Sequence, residues 1–195
     1  MHPNANSLTT TKEQADYSEY STNQKVEIAK EIFGDNAIST SGGGGKLTKV
    51  ADEIHKYMED NHYTYSLTSL NSTFEASKTG SKTTCCATYI SWVLTEAGYD
   101  GFVGHNSVLS IQEAFRSMNY NIQRIYPGEQ LEPGDIVFVN KNKNSTNAEY
   151  TANNGHVQMY GEDGIWYNAG STNAIQRRPY AYTYNCWYMA YRLLE

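Results

Sequence analysis

Apolar residues follow two different periods along this chain, and the change of period divides it into two parts. In the first part they recur at steps of three and four, the spacing of a helix face that packs into a core. This spacing predicts helices over 23–33, 47–61 and 111–118, and one that opens at Cys85-Cys86 and stops at Gly98. Beyond residue 128 apolar and polar residues alternate, which predicts strands over 136–139, 155–160, 165–168 and 186–193. Helices followed by an antiparallel meander predict an α+β domain.

Local capping and turn residues set the expected limits of these elements. Thr83 and Thr84 precede the central helix as candidate caps, and Ser110 precedes the next helix in the same role. The sequence Glu162-Asp163-Gly164 carries the Asp-Gly signature of a tight turn and predicts a hairpin between the second and third strands. These residues therefore predict where neighbouring elements meet as well as their type.

A glycine-rich segment separates the predicted domain from the residues before it. The sequence at 39–45 ends in four consecutive glycines and is typical of a flexible linker. We therefore predict a polar tail with one short helix over 1–45 and a folded domain over 46–195. The linker favours a catalytic module tethered to a neighbouring domain, with a disordered tail as the alternative. The polar segments 67–84 and 140–154 are predicted to be irregular.

Composition excludes several classes of protein. Asp and Glu number 21 against 15 Lys and Arg, and this acidic balance argues against a nucleic-acid partner. Three cysteines, two of them adjacent, provide no disulfide framework. No apolar run approaches the roughly 20 residues that span a bilayer. The amino terminus lacks the pattern of a signal peptide, so we expect a fragment of a longer protein or another export route.

The paired cysteines at the start of the central helix are the first candidate for chemistry. Unpaired N–H groups and the positive end of the helix dipole favour a thiolate at this position over a thiol. A thiolate is the form that attacks a carbonyl carbon, so a cysteine nucleophile fits this place. A buried structural cysteine is the alternative reading.

A cysteine nucleophile needs a base and a group that orients the base. Of the five histidines only His156 falls in a predicted strand, and it follows a glycine. Asn168 lies twelve residues further on, across the predicted Asp-Gly hairpin, a separation at which antiparallel strands bring side chains together. The ordered set of Cys on a helix, His on a strand and Asn on the returning strand predicts a thiol-dependent acyl transferase or hydrolase.

This combination resembles the NlpC-type papain-like cysteine peptidases of bacterial cell walls. The family's motif at the start of its central helix is matched by Cys85-Cys86-Ala87-Thr88-Tyr89-Ile90, and counting back from Gly98 aligns Cys86 with the nucleophile. Further matches are Pro133-Gly134-Asp135 before a strand, His156-Val157-Gln158-Met159-Tyr160, and Asn168 as the third polar residue. The segment Tyr63-Thr64-Tyr65-Ser66 is similar to the family's tyrosine motif, with Tyr63 as the active-site tyrosine.

The resemblance covers roughly 46–195 and implies N-terminal helices packed on a small antiparallel sheet. It implies catalysis by Cys86, His156 and Asn168, with Tyr63, Cys85 and Ala87 at substrate-binding positions, and no metal or cofactor. Cys85 and Ala87 replace the family's aspartate and serine, so the usual bond specificity is not expected to carry over. The implied substrate is a peptidoglycan stem peptide or cross-bridge, and the implied location is extracellular or in the cell wall.

Two alternatives share the same residues. A CHAP-type N-acetylmuramoyl-L-alanine amidase uses the same Cys-His order. A wall-binding module without turnover is favoured by the loss of the aspartate and serine around Cys86. For the enzyme we expect a monomer with neither nucleic acid nor membrane as partner.

Overall fold

The computed structural model describes residues 44–140, 155–170, 176–178 and 187–194. The predicted helix over 23–33, most of the predicted linker, the stretch 141–154 and Cys186 lie outside the described residues. The described helices are α1 (Gly44–Asp60), α2 (Phe74–Thr79), α3 (Cys86–Glu96) and α4 (Val108–Ser117). Two short 3-10 turns cover Asp100–Phe102 and Glu162–Gly164.

Eight strands are described, in two sheets. They are β1 (Thr64–Tyr65), β2 (Thr83–Thr84), β3 (Ile122–Ile125), β4 (Ile136–Asn140), β5 (Gly155–Tyr160), β6 (Trp166–Asn168), β7 (Gln176–Arg178) and β8 (Trp187–Leu193). Strands β1 and β2 form a small parallel pair, and the others form one antiparallel sheet in the order β3-β8-β4-β5-β6-β7. The predicted mixture of helices and antiparallel strands is confirmed, but β8 inserts between β3 and β4, so the sheet is not a simple meander.

Helix α3 is the centre of the core. Its side chains are buried continuously from Cys86 to Leu94, as expected of a helix that is apolar on nearly every side. It packs on α1 and α4 and against β5 and β6. The sheet face that meets the helices carries Ile136, Phe138, Val157, Met159, Tyr167 and Tyr191. A smaller apolar cluster covers the opposite face with Ile125, Val137, Val139, Trp166 and Ala190.

The start of α1 differs from the sequence prediction. Gly44 and Gly45 were predicted to belong to the linker, yet they form the first turn of the helix. A Cβ atom on Gly44 would collide with the carbonyl of Pro133, and one on Gly134 would collide with Gly44. Gly134 also has a positive φ of 91°. Glycine at both positions therefore lets α1 pack directly on the turn that leads into β4.

Three local predictions are corrected. The segment 67–84 contains α2 and β2, and β3 was not predicted at all. Thr83 and Thr84 do not cap α3, because they form β2 and Cys85 takes the cap position. Helix α4 is capped by Ser107, whose hydroxyl accepts a hydrogen bond from the Ser110 N–H at 3.1 Å, so Ser110 lies inside the helix. All three are short features whose stability depends on what packs around them.

A buried ion pair fixes the sheet at the start of β4. The Asp135 carboxylate is fully buried and accepts two hydrogen bonds from Arg192 of β8, each 2.8 Å long. The main-chain N–H of Glu132 donates a third, also at 2.8 Å. Asp135 in turn raises the pKa of Arg192. The Pro133-Gly134-Asp135 turn is thereby tied to the last strand.

Candidate active site at the start of helix α3

The small β1–β2 pair leads directly into helix α3. The main-chain N–H of Ser66 donates to the carbonyl of Thr84 at 3.0 Å, which extends the pairing by one residue. Cys85 follows in an extended conformation, with φ of −133° and ψ of 177°, and Cys86 begins the helix. The first N–H groups of an α-helix lack partners within the helix. Both thiols thus lie beside unpaired main-chain donors, as the sequence predicted.

The two thiols face different neighbours. Cys85 Sγ lies 3.2 Å from the Thr88 hydroxyl and 3.6 Å from the Asn106 carbonyl oxygen just before α4. Cys86 instead forms a hydrogen bond with the main chain of Val157 in β5. The pairing of β5 with β6 stops at Met159, so Val157 lies beyond the last paired residue. The start of α3 therefore reaches the sheet where β5 and β6 are no longer paired.

The thiols also interact with each other, and this interaction shifts their pKa values in opposite directions. The hydrogen bond from Cys86 is the largest influence on Cys85 and, with the Thr88 hydroxyl and nearby N–H groups, lowers the pKa of Cys85 to about 6. The same interaction raises the pKa of Cys86 well above its ordinary value, and burial adds to the rise. The resting pair therefore carries its first negative charge on Cys85 and keeps a proton on Cys86, so the thiolate predicted for the nucleophile Cys86 falls on its neighbour instead.

His156 lies one residue from the Cys86 contact in β5. It is 3% exposed and pairs across the sheet with Val139 of β4. Side chains alternate along a strand, so the Val157 side chain faces the helices and the His156 side chain leaves on the other face. Cys86 and His156 are therefore neighbours through the main chain of β5.

Asn168 lies on the strand next to His156, but not directly opposite it. The pairs Met159–Tyr167 and Tyr160–Trp166 place Asn168 across from Gln158. His156 is two residues further along β5, so the two residues predicted to come together across the hairpin are diagonal neighbours on the same sheet face. Diagonal neighbours in an antiparallel sheet have Cα atoms about 7–8 Å apart, within reach of long side chains.

The three predicted substrate-binding residues are buried. Tyr63 is 6% exposed, and its hydroxyl lies 2.8 Å from the Ser77 hydroxyl of α2. Burial raises the pKa of Tyr63. Cys85 and Ala87 are each 1% exposed. The ring of Tyr63 thus packs edge-on against Trp92 in the aromatic core. Cys86, at 7% exposed, is the most exposed of the cysteines and substrate positions that the sequence selected.

Gln112 in α4 is a buried polar residue that the sequence did not single out. It is 1% exposed, and within the described part of the chain its Nε2 has no hydrogen-bond partner. A buried amide without a hydrogen-bond partner lowers folding stability by about 1–3 kcal/mol, so such groups are rare in folded proteins. The only sequence signal is its place beside the buried Ile111 and Phe115, where a helix of this pattern has an apolar residue.

Comparisons with known proteins add no identification. No protein-family model matches the chain. No curated protein matches it. Among the described residues there is no group of three or more His, Cys, Asp or Glu side chains that could hold a metal ion. Of the described helices, none is both long and apolar enough to cross a membrane.

Proposed function

We propose that this protein is a cysteine peptidase that hydrolyses an amide bond through an acyl-enzyme on Cys86. The contact between the Cys86 thiol and the main chain of Val157, one residue from His156, is the observation that carries the proposal. It joins the start of the central helix to the strand that bears the candidate base. Asn168 on the neighbouring strand supports it, because a histidine base needs a polar group to hold its ring.

The raised pKa of Cys86 bears on the order of proton transfer. Cys86 keeps its proton at rest, so in the proposed reaction His156 removes that proton as the sulfur attacks the carbonyl carbon. The main-chain N–H of Cys86, in the first turn of α3, donates to the developing oxyanion. His156 then returns the proton to the leaving amine, and water releases the acyl group. Asn168 orients the imidazole and transfers no proton.

The substrate class follows from the resemblance to the NlpC-type peptidases. We propose a peptidoglycan stem peptide or cross-bridge, and hence a monomeric enzyme that works outside the cell or in its wall. Where the family has an aspartate, this chain has the thiolate-forming Cys85, which is 1% exposed. A buried sulfur recognises an incoming ammonium group less well than an accessible carboxylate does. We therefore expect a cleavage site different from the family's usual one.

Digestion of purified peptidoglycan from several Gram-positive species tests this function. Mass spectrometry of the soluble fragments should reveal new amino termini within stem peptides or cross-bridges, absent with the Cys86→Ala protein. Release of intact stem peptides from bare glycan would identify an amidase instead. Binding to the wall with no fragment from any species would contradict catalysis and identify a binding module.

A further inference from the structure

The two adjacent thiols at the start of α3 form a cluster that the proposed hydrolysis uses only in part. Both thiols are free, and their side chains are hydrogen-bonded to each other. In the proposed reaction the Cys86 sulfur attacks the carbonyl carbon, and Cys85 makes and breaks no bond. The sulfur of Cys85 nevertheless lies in contact with that nucleophile, so any reaction of Cys85 bears directly on Cys86.

The surroundings of Cys85 favour a negatively charged sulfur. Its Sγ lies 3.2 Å from the Thr88 hydroxyl, and the main-chain N–H groups of Ala87 and Thr88 in the first turn of α3 also donate to it. Together with the Cys86 thiol, which contributes most, these donors lower the pKa of Cys85 to about 6. The thiolate is the form of cysteine that hydroperoxides oxidise to a sulfenic acid.

Burial of the pair restricts which oxidant reaches it. Cys85 is 1% exposed and Cys86 is 7% exposed. A disulfide such as oxidised glutathione is too large to approach a sulfur that is covered to this extent. Hydrogen peroxide is little larger than a water molecule, and the more exposed Cys86 marks the side from which it enters. The chemistry of the site therefore fits a small hydroperoxide.

We propose that Cys85 and Cys86 are a modification site at which hydrogen peroxide closes a disulfide between them. The Cys85 thiolate attacks one peroxide oxygen, the O–O bond breaks, and hydroxide leaves and takes a proton from solvent. The Cys86 sulfur then attacks the sulfur of the resulting sulfenic acid. The S–O bond breaks, and the oxygen leaves as water with the proton from Cys86. The sulfur pair is oxidised by two electrons, and the peroxide is reduced to water.

The proposed bond is easily reversed because its ends are adjacent in the chain. Neighbouring Cα atoms across a trans peptide are about 3.8 Å apart, whereas the Cα atoms of ordinary disulfides are about 4.4–6.8 Å apart. A strained disulfide is more readily reduced than a relaxed one. While it lasts, the bond withholds the Cys86 sulfur from further oxidation and from attack on an amide. Only this last consequence, a reversible block of hydrolysis, rests on the proposed peptidase function.

Peptide mapping of the full chain after treatment with hydrogen peroxide tests the bond itself. Trypsin cuts after Lys82 and Arg116, so both cysteines lie on one peptide that does not contain Cys186. We expect this peptide to lose two hydrogen atoms and, after denaturation, all labelling by iodoacetamide. Dithiothreitol should restore both labels. A link to Cys186, sulfinic acid without a disulfide, or two unreacted thiols would each overturn the proposal.

Cys86→Ser and Cys186→Ser form a matched pair of variants. In Cys86→Ser the sulfenic acid at Cys85 has no neighbouring thiol, so dimedone added on denaturation should trap it, and excess peroxide should carry it on to sulfinic acid. Cys186→Ser retains the adjacent pair and should form the same disulfide as the parent. Absence of the dimedone adduct from Cys86→Ser, or of the disulfide from Cys186→Ser, contradicts closure between Cys85 and Cys86.

Activity measurements separate this modification from the proposed function. The oxidised parent protein should release no peptidoglycan fragments, and dithiothreitol should restore the release. Unchanged release by protein whose peptide map shows the complete disulfide would overturn the block of hydrolysis. If neither the reduced nor the oxidised protein releases fragments, the peptidase function fails, and the peptide map still decides whether the disulfide forms.

Discussion

Two buried polar clusters lie in different parts of this domain, and they differ in how completely their hydrogen bonds are satisfied. At the start of β4, both oxygens of the buried Asp135 carboxylate are bonded to Arg192. The remaining guanidinium nitrogen, Nη1, binds Glu132 at 2.8 Å. At the start of α3, Cys85 and Cys86 are hydrogen-bonded to each other and their pKa values shift in opposite directions. In α4, the Gln112 Nε2 has no hydrogen-bond partner among the described residues.

The difference separates a cluster whose charges are fully paired from one in which the acidity of two groups is shifted. A buried charge is tolerated only when it is paired and hydrogen-bonded, and Asp135 meets both conditions. The thiols at the start of α3 have pKa values shifted in opposite directions, Cys85 downward and Cys86 upward. Perturbed acidity of this kind is concentrated at functional sites. The first predictions below each change one member of one cluster.

The largest effect is expected at Cys86. Cys86→Ala removes the proposed nucleophile and should abolish amide hydrolysis, while the urea midpoint changes little because a small buried side chain replaces another. Cys85→Ala should retain a working nucleophile, and because Cys85 is the main cause of the raised pKa of Cys86, that pKa should fall. Release of amines from peptidoglycan by both variants is the measurement. Full activity in Cys86→Ala would overturn the assignment of the nucleophile.

In the fully hydrogen-bonded cluster at the start of β4, Asp135→Ala should lower the free energy of unfolding. Arg192, whose side chain is 12% exposed, would keep its charge without the buried carboxylate, and loss of one partner of a buried pair costs about 3–5 kcal/mol. Glu132→Gln is the matched control, because that carboxylate is 52% exposed and exposed pairs contribute about 0–1 kcal/mol. Urea unfolding compares the two, and equal losses would contradict the distinction between buried and exposed partners.

A smaller effect is expected from Thr88→Val, which removes a hydrogen bond to Cys85 Sγ. The Cys86 thiol is the main cause of the lowered Cys85 pKa, and the Thr88 hydroxyl contributes, so the variant should have a higher Cys85 pKa than the parent's value of about 6. Thiolate absorbance against pH measures it.

The sign of the linked stability change follows from the direction of the shift. Cys85 is ionised in the folded protein above pH about 6, whereas an unfolded thiol ionises near 8.5. Stability of the parent should therefore rise with pH through that window, and it should be lost as pH falls toward 6. The raised pKa of Cys86 has the opposite effect on stability, but only at pH values above the ordinary pKa of a thiol. A flat profile in the parent would contradict a lowered Cys85 pKa.

The smallest effect concerns the glycines at the start of α1. A protein beginning at Gly44 keeps the contact with Pro133 and Gly134, whereas one beginning at Lys46 loses it. We expect the shorter protein to be roughly 1 kcal/mol less stable by urea unfolding. Both should turn over soluble muropeptides, since residues 1–45 contain no member of the proposed site. A loss of turnover beyond about tenfold in the folded Gly44 protein would show that earlier residues take part.

Long elements with strong periodicity could be predicted from the sequence. Strand β5 has the predicted limits, and β4 and α3 each lie within about one residue of theirs, because continuous apolar patterns favour one conformation locally. Helix α2 could not be predicted in this way. It has only six residues, and it is held in the fold in part by the packing of the Phe74 and Trp92 rings, whose centroids are 5.7 Å apart.

The sequence by itself determined the α+β class, the helix that begins at the paired cysteines and the strand that carries His156. Only the tertiary structure decided that Cys86 contacts β5, that Asn168 lies diagonal to His156, and that the polar Gln112 is buried in α4. Periodicity records which residues prefer the interior of one element. It does not record the register between strands or the packing of one helix on another. Those depend on contacts between residues distant in the chain.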